Sequence, residues 1–144
     1  MWNILLLLLF HFYFPYINYN LIDVSPDFLF LIILFSPLQF TKSKVLMLSF
    51  FIGLIKDVLT QHYFFGFSSF INSFVGFVIF NIKSIKDKFF QYSIIFFIMF
   101  SYFFMNYFLH YTESYIFYFK FSLIKSFLTF TMFFLFNRAF KKNF

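Results

Sequence analysis

Apolar positions in this chain come in long runs, and short polar breaks separate one run from the next. A transmembrane helix needs about 20 consecutive apolar residues, and six runs approach that length. They predict spans near 3–19, 26–41, 45–62, 65–82, 89–109 and 115–136. The second, with LFLIILFSPLQF at its centre, is short and contains Pro37, so a kink or a locally thinned bilayer is expected there. Ser25, Pro26 and Asp27 read as its start: a serine N-cap, a proline in the first turn and a carboxylate at the positive end of the helix dipole. The first run, MWNILLLLLFHFYFPYIN, lacks the basic leader and small-residue cleavage site of a secretory signal and precedes five further runs. It is expected to be retained, with Pro15 bending its far end.

Charge tests this division independently, because basic residues concentrate in cytoplasmic loops. Six spans put Lys42 and Lys44, then Lys83, Lys86 and Lys88, then Arg138, Lys141 and Lys142 on one side, eight basic residues in all. The other side receives none and carries Asp23, Asp27 and Glu113. Five or seven spans would spoil the alternation. The expected fold is therefore an all-α integral membrane protein, a single polytopic domain over residues 1–144, with six transmembrane helices and both termini cytoplasmic.

Composition agrees: 62% of the 144 residues are hydrophobic, 34 are Phe and 11% are charged, far too little polar surface for a soluble domain of this size. Phe, Ile, Leu, Asn, Lys and Tyr are enriched together, the bias of an AT-rich genome, so the Phe excess requires no binding device. The absence of cysteine excludes disulfides, thiolate metal sites and a cysteine nucleophile. The net charge of +6 follows mostly from topology, with attraction to anionic lipid headgroups as a by-product. No basic cluster stands on a soluble module, so the lipid bilayer is an expected partner and nucleic acid is not. His11, His62 and His110 lack ligand spacing, and no Gly-rich phosphate loop, paired carboxylates or nucleophile with its base is visible. No catalytic residue, metal or cofactor is expected.

Lys56, Asp57, Lys120 and Lys125 fall inside the runs. A charge at the centre of a span costs about 2.5–3.5 kcal/mol on insertion scales, so each needs a partner, a route to water or a function. Lys56 and Asp57 diverge by about 100° around a helix and do not pair with each other. Ser49, Gly53, Lys56 and Thr60 share one face, with Asp57 at its edge. Gly66, Ser69, Ser73 and Gly76 form a second small-residue stripe where another helix can approach, with Asn72 beside it as a possible interhelical donor and acceptor. Ser122, Lys125, Ser126 and Thr129 share a face of the last run, and Lys120 points outward toward Glu113. The expected buried pair is Asp57 with Lys125. Nothing in this scheme requires a charge at Lys56.

Residues 26–88 resemble the rod-shape-determining membrane protein MreD family. The likeness rests on SPDFLFLIILF, the basic turn TKSK, and then GLIKDVLT, FFGFSSF and FVGF. By position it falls on Pro26 and Asp27, on Gly53 and Asp57 of a G-x-x-x-D pattern, and on Thr60, Gly66, Gly76 and Phe77. The chain departs from the family in having TQHYF after the aspartate and a charge at Lys56. The resemblance implies a non-enzymatic component of the bacterial cytoplasmic membrane that maintains cell shape and organises peptidoglycan synthesis within the elongation complex. Its implied partners are an MreC-like membrane-anchored protein and, indirectly, an MreB-type cytoskeleton and cell-wall synthases. The family's helix arrangement is similar to that of the substrate-capturing subunits of vitamin transporters, which makes a substrate-binding transporter subunit the alternative.

Overall fold

The computed structural model describes residues 2–15, 17–19, 22–60, 66–110 and 115–139. Among them are six α-helices: α1 (Trp2–Tyr13), α2 (Phe28–Phe35), α3 (Lys42–Thr60), α4 (Phe67–Ile82), α5 (Lys88–His110) and α6 (Tyr115–Ala139). Between α1 and α2 the chain turns back through an antiparallel ladder of two-residue strands, β1 (Asn18–Tyr19) and β2 (Ile22–Asp23), with Asn18 opposite Asp23.

The helices follow the expected order but are unequal in length. Two of them, over Lys88–Phe108 and Tyr115–Ala139, are long and apolar enough to cross a membrane. Helix α3 has 19 residues but carries Lys42, Lys44, Lys56 and Asp57. At 1.5 Å per residue the 12, 8 and 16 residues of α1, α2 and α4 rise about 18, 12 and 24 Å, short of the ~30 Å hydrocarbon core.

The run expected to span 26–41 is the largest departure, and its two ends show why. At its start Asp27, not Ser25, is the N-cap: its backbone is extended (φ −87°, ψ 93°) and its side chain accepts the Phe30 N–H at 2.9 Å. At its end the chain passes into a 3₁₀ turn, Ser36–Leu38. Pro37 has no N–H for the Ile33 carbonyl, which instead accepts the Ser36 hydroxyl at 2.8 Å. Between these ends FLFLIILF is apolar on every side, and all eight residues are buried. A helix of that kind belongs at a centre, and α2 packs against α1, α3, α4 and α6.

Two antiparallel hairpins flank α2, α3 with α4 and α5 with α6. Lys42 lies over the Phe77 ring and Lys83 donates to the Pro37 carbonyl at 2.8 Å, so the start of α3 and the end of α4 meet beside the 3₁₀ turn. Asp87 caps the start of α5 through the Phe89 and Phe90 N–H groups at 3.0 and 3.3 Å. The exposed basic residues Lys42, Lys44, Lys83, Lys86, Lys88 and Arg138 thus occur at helix ends that the hairpins bring to one side.

The outer face is far more apolar than that of a water-soluble domain, and small polar residues share the apolar interior. Phe70, Phe74, Phe97, Ile116 and Phe127 are each more than 60% exposed, whereas Ser49, Ser69, Asn72, Ser122, Ser126 and Thr129 are fully buried. In water this arrangement would be costly at both places; against lipid tails the outer face is cost-free and the small polar residues serve helix contacts.

Candidate functional site

Two polar centres lie within the apolar body. The first forms where α3 meets the start of α4. Gly53 and Asp57, one turn apart, face the same neighbour. A side chain at position 53 would meet the backbone of the next helix, with Ser69 N at 2.5 Å and Ser68 O at 2.6 Å from its Cβ. With no side chain in the way, the α4 N-terminus comes within reach of Asp57. Its carboxylate accepts the Gly66 N–H at 2.9 Å, the Ser68 N–H at 3.1 Å and the Ser69 hydroxyl at 3.2 Å. Gly66 is the N-cap residue and makes no side-chain cap bond, so Asp57 satisfies amides that the helix start would otherwise leave unpaired. The G-x-x-x-D spacing therefore has a mechanical meaning: the glycine admits the helix and the aspartate caps it.

This geometry corrects the expected Asp57–Lys125 pair. Both Asp57 oxygens turn toward α4, because residue 57 lies a further ~100° around α3 from Lys56. Lys125 on α6 lies with its ammonium 5.8 Å from the centre of the Phe103 ring and in the field of a different carboxylate, Asp27.

Asp27 anchors the second centre. Its carboxylate forms an ion pair with Lys56, whose ammonium also donates to the Tyr102 hydroxyl at 2.9 Å. The side chains of Lys56 and Asp27 are only 14% and 12% exposed. The Asp27 backbone N–H donates to the Thr129 hydroxyl at 3.3 Å, and the Phe30 ring packs 4.6 Å from that of Tyr102. One cluster therefore ties α2, α3, α5 and α6 together. A pair this well enclosed contributes little over an apolar replacement, but removing one partner strands a buried charge at a cost of about 3–5 kcal/mol.

Of the other positions singled out in the sequence, Gly76 does pack as expected: a Cβ there would collide with the Ser49 side chain and sit 3.6 Å from Val45. Ser69 is buried against α3, and Ser73 bonds back to the Ser69 carbonyl at 2.7 Å. Gly66 belongs to the stripe only by spacing. Nothing lies within 4 Å of its would-be Cβ; at φ 95° it is a backbone requirement, a left-handed turn into α4. Pro26 is buried, Phe77 is partly exposed beneath Lys42, and the Thr60 side chain and Glu113 lie outside the described residues.

The sequence reading missed the roles of Lys56, Tyr102 and Thr129. Lys56 carried the strongest available signal, a charge in an apolar run with no assigned partner; Thr129 stood out only as part of the polar face of the last run, and Tyr102 carried no signal. Asn72, expected to hydrogen-bond between helices, is fully buried with neither side-chain polar atom bonded, and the Ser49 hydroxyl is likewise unpartnered. Among the described residues no three His, Asp or Glu side chains converge as metal ligands would.

The fold and its centres define a helical protein, with one two-residue ladder between α1 and α2 and two helices able to cross a membrane. Comparison with protein-family models, with curated proteins and with solved structures finds no match to the chain.

Proposed function

We propose that the chain is a six-span scaffold of the bacterial cytoplasmic membrane, with both termini cytoplasmic, serving the elongation machinery that maintains cell shape and organises peptidoglycan synthesis. Its direct partner in this reading is an MreC-like membrane-anchored protein, through which it reaches an MreB-type cytoskeleton and cell-wall synthases. The observation that carries the reading is the use made of the interior charges. Asp57 caps α4 and Asp27 pairs with Lys56, so charges at positions of the MreD-like pattern hold helices to one another. That suits a part whose work is to present a fixed helical surface. The apolar outer face and the basic helix ends support the membrane placement; the short α1 requires the bilayer to thin beside it, while α2 is enclosed by other helices and meets no lipid.

The test is copurification in mild detergent together with depletion in cells. An MreC-like protein should come down with the chain, and depleted cells should lose their rod shape. Unchanged shape and no such partner would overturn the proposal.

A second reading, a substrate-binding subunit of a small-molecule transporter, draws on the unpartnered Asn72 amide in the interior. Saturable binding of a vitamin-type ligand to the purified protein would favour it, and failure across a broad panel would count against it.

A further inference from the structure

A groove of about 390 Å³ runs between α1, α2 and α3. Ile4 and Leu8 line it from α1, the buried Ile32 from α2, and Met47, Phe51 and Lys44 from α3. Every lining residue except Lys44 is apolar. Along α3 the lining extends from Lys44 to Ile55, a rise of about 16 Å, close to half of the ~30 Å hydrocarbon thickness. The groove is therefore about one leaflet deep, apolar along its length and positive at one end. That end is the side on which Lys42, Lys83, Lys86, Lys88 and Arg138 stand. Among the described residues nothing pairs with Lys44 or hydrogen-bonds it, and it is exposed.

We propose that this groove holds one acyl chain of an anionic phospholipid, with the lipid phosphate on the Lys44 ammonium; the inference rests on the membrane placement above. Its walls have no hydrogen bond to offer along their length, and a methylene chain asks for none. A helix of the same length would occupy roughly 1,300 Å³ at a diameter near 10 Å, more than the about 820 Å³ of empty space in the groove out to its mouth. The charge at the mouth selects among lipids, since a zwitterionic headgroup brings a cation beside Lys44 and an anionic one does not.

Native mass spectrometry of the full chain, released from vesicles holding equal parts phosphatidylglycerol and phosphatidylcholine, tests the site. One retained phosphatidylglycerol per chain is expected, favoured about fivefold over phosphatidylcholine. Lys44→Gln should bring the two lipids to parity, while Lys86→Gln, outside the groove, should leave the preference intact. Met47→Trp, at a position 61% exposed and so tolerant of bulk, should fill the groove and abolish retention of either lipid. Equal retention of both lipids by the wild type, or equal losses from Lys44→Gln and Lys86→Gln, would overturn the proposal. So would a dimer that Met47→Trp dissociates, which would assign the groove to a second copy. Failure of the wild-type chain to enter the vesicles at all would instead overturn the membrane placement.

Discussion

In the α3–α4 hairpin the helices meet at Gly53 and Gly76, where even a methyl group has no room, whereas in α5–α6 they are held apart by rings. Phe96 meets Phe130, Phe100 meets Phe119 and Phe108 meets Tyr118, with ring centres 5.5, 5.3 and 5.8 Å apart. The two hairpins answer the same need with opposite side chains; in the proposed membrane setting burial alone would drive neither, because lipid tails are as apolar as Phe. Small residues win by letting backbones and a capping carboxylate come close; rings win by contact area. At Gly53 the first solution has no slack, since a clash with the Ser68–Ser69 backbone cannot be relieved by a rotamer change, whereas the close neighbour of Gly76 is the Ser49 side chain. Rings can shift against each other and be exchanged for other bulky groups at modest cost.

The cluster built on the Asp27–Lys56 pair, with Tyr102 of α5 and Thr129 of α6, joins the two hairpins, so breaking the pair should have the largest effect. Lys56→Met should destabilise the protein by about 3–5 kcal/mol in detergent unfolding, and adding Asp27→Asn should restore most of the loss. Lys125→Met should cost less than Lys56→Met; a larger loss would show that the wrong lysine has been assigned to Asp27. Gly53→Val comes next, at about 1–3 kcal/mol or more, visible as a lowered thermal midpoint. Asp57→Asn removes the charge from the α4 cap and should cost about 1–2 kcal/mol. Hydrogen exchange at the Ser68 amide should accelerate in that variant while exchange within α6 stays unchanged. In the aromatic hairpin Phe100→Leu should cost only about 0.5–1.5 kcal/mol, and a loss matching that of Gly53→Val would remove the contrast between the hairpins. Smallest of all, Asn72→Leu should be neutral or slightly stabilising, because it replaces a buried amide that has no partner.

Much of the α3–α4 hairpin was legible in the sequence. Gly53 and Ser49 on one helix, and Ser69 and Gly76 on the next, stand out by spacing, and their meeting requires only that consecutive helices pack antiparallel. The Asp57 cap was half legible. Its burial followed from an apolar run, but its partner depended on a turn whose left-handed residue, Gly66, spacing presented as a packing position. The aromatic hairpin was legible as two long apolar helices and no further, since in a chain with 34 Phe no single ring announces its neighbour.

What the sequence by itself determined is the number and order of the helices, the side on which the basic ends gather, and the presence of charges that must be satisfied internally. Those follow from local physics: hydropathy over a run, helical periodicity, and the cost of a charge away from water. Only the tertiary structure decided which charge satisfies which. Asp27 looked like the surface start of a spanning helix, but the capping at its own position and Pro37 leave α2 only eight residues long. Its N-terminus therefore lies beside Thr129, inside α6, where Lys56 and Tyr102 converge on it. That juxtaposition joins residues up to 102 positions apart and depends on the mutual packing of four helices, which the periodicity of no single helix records.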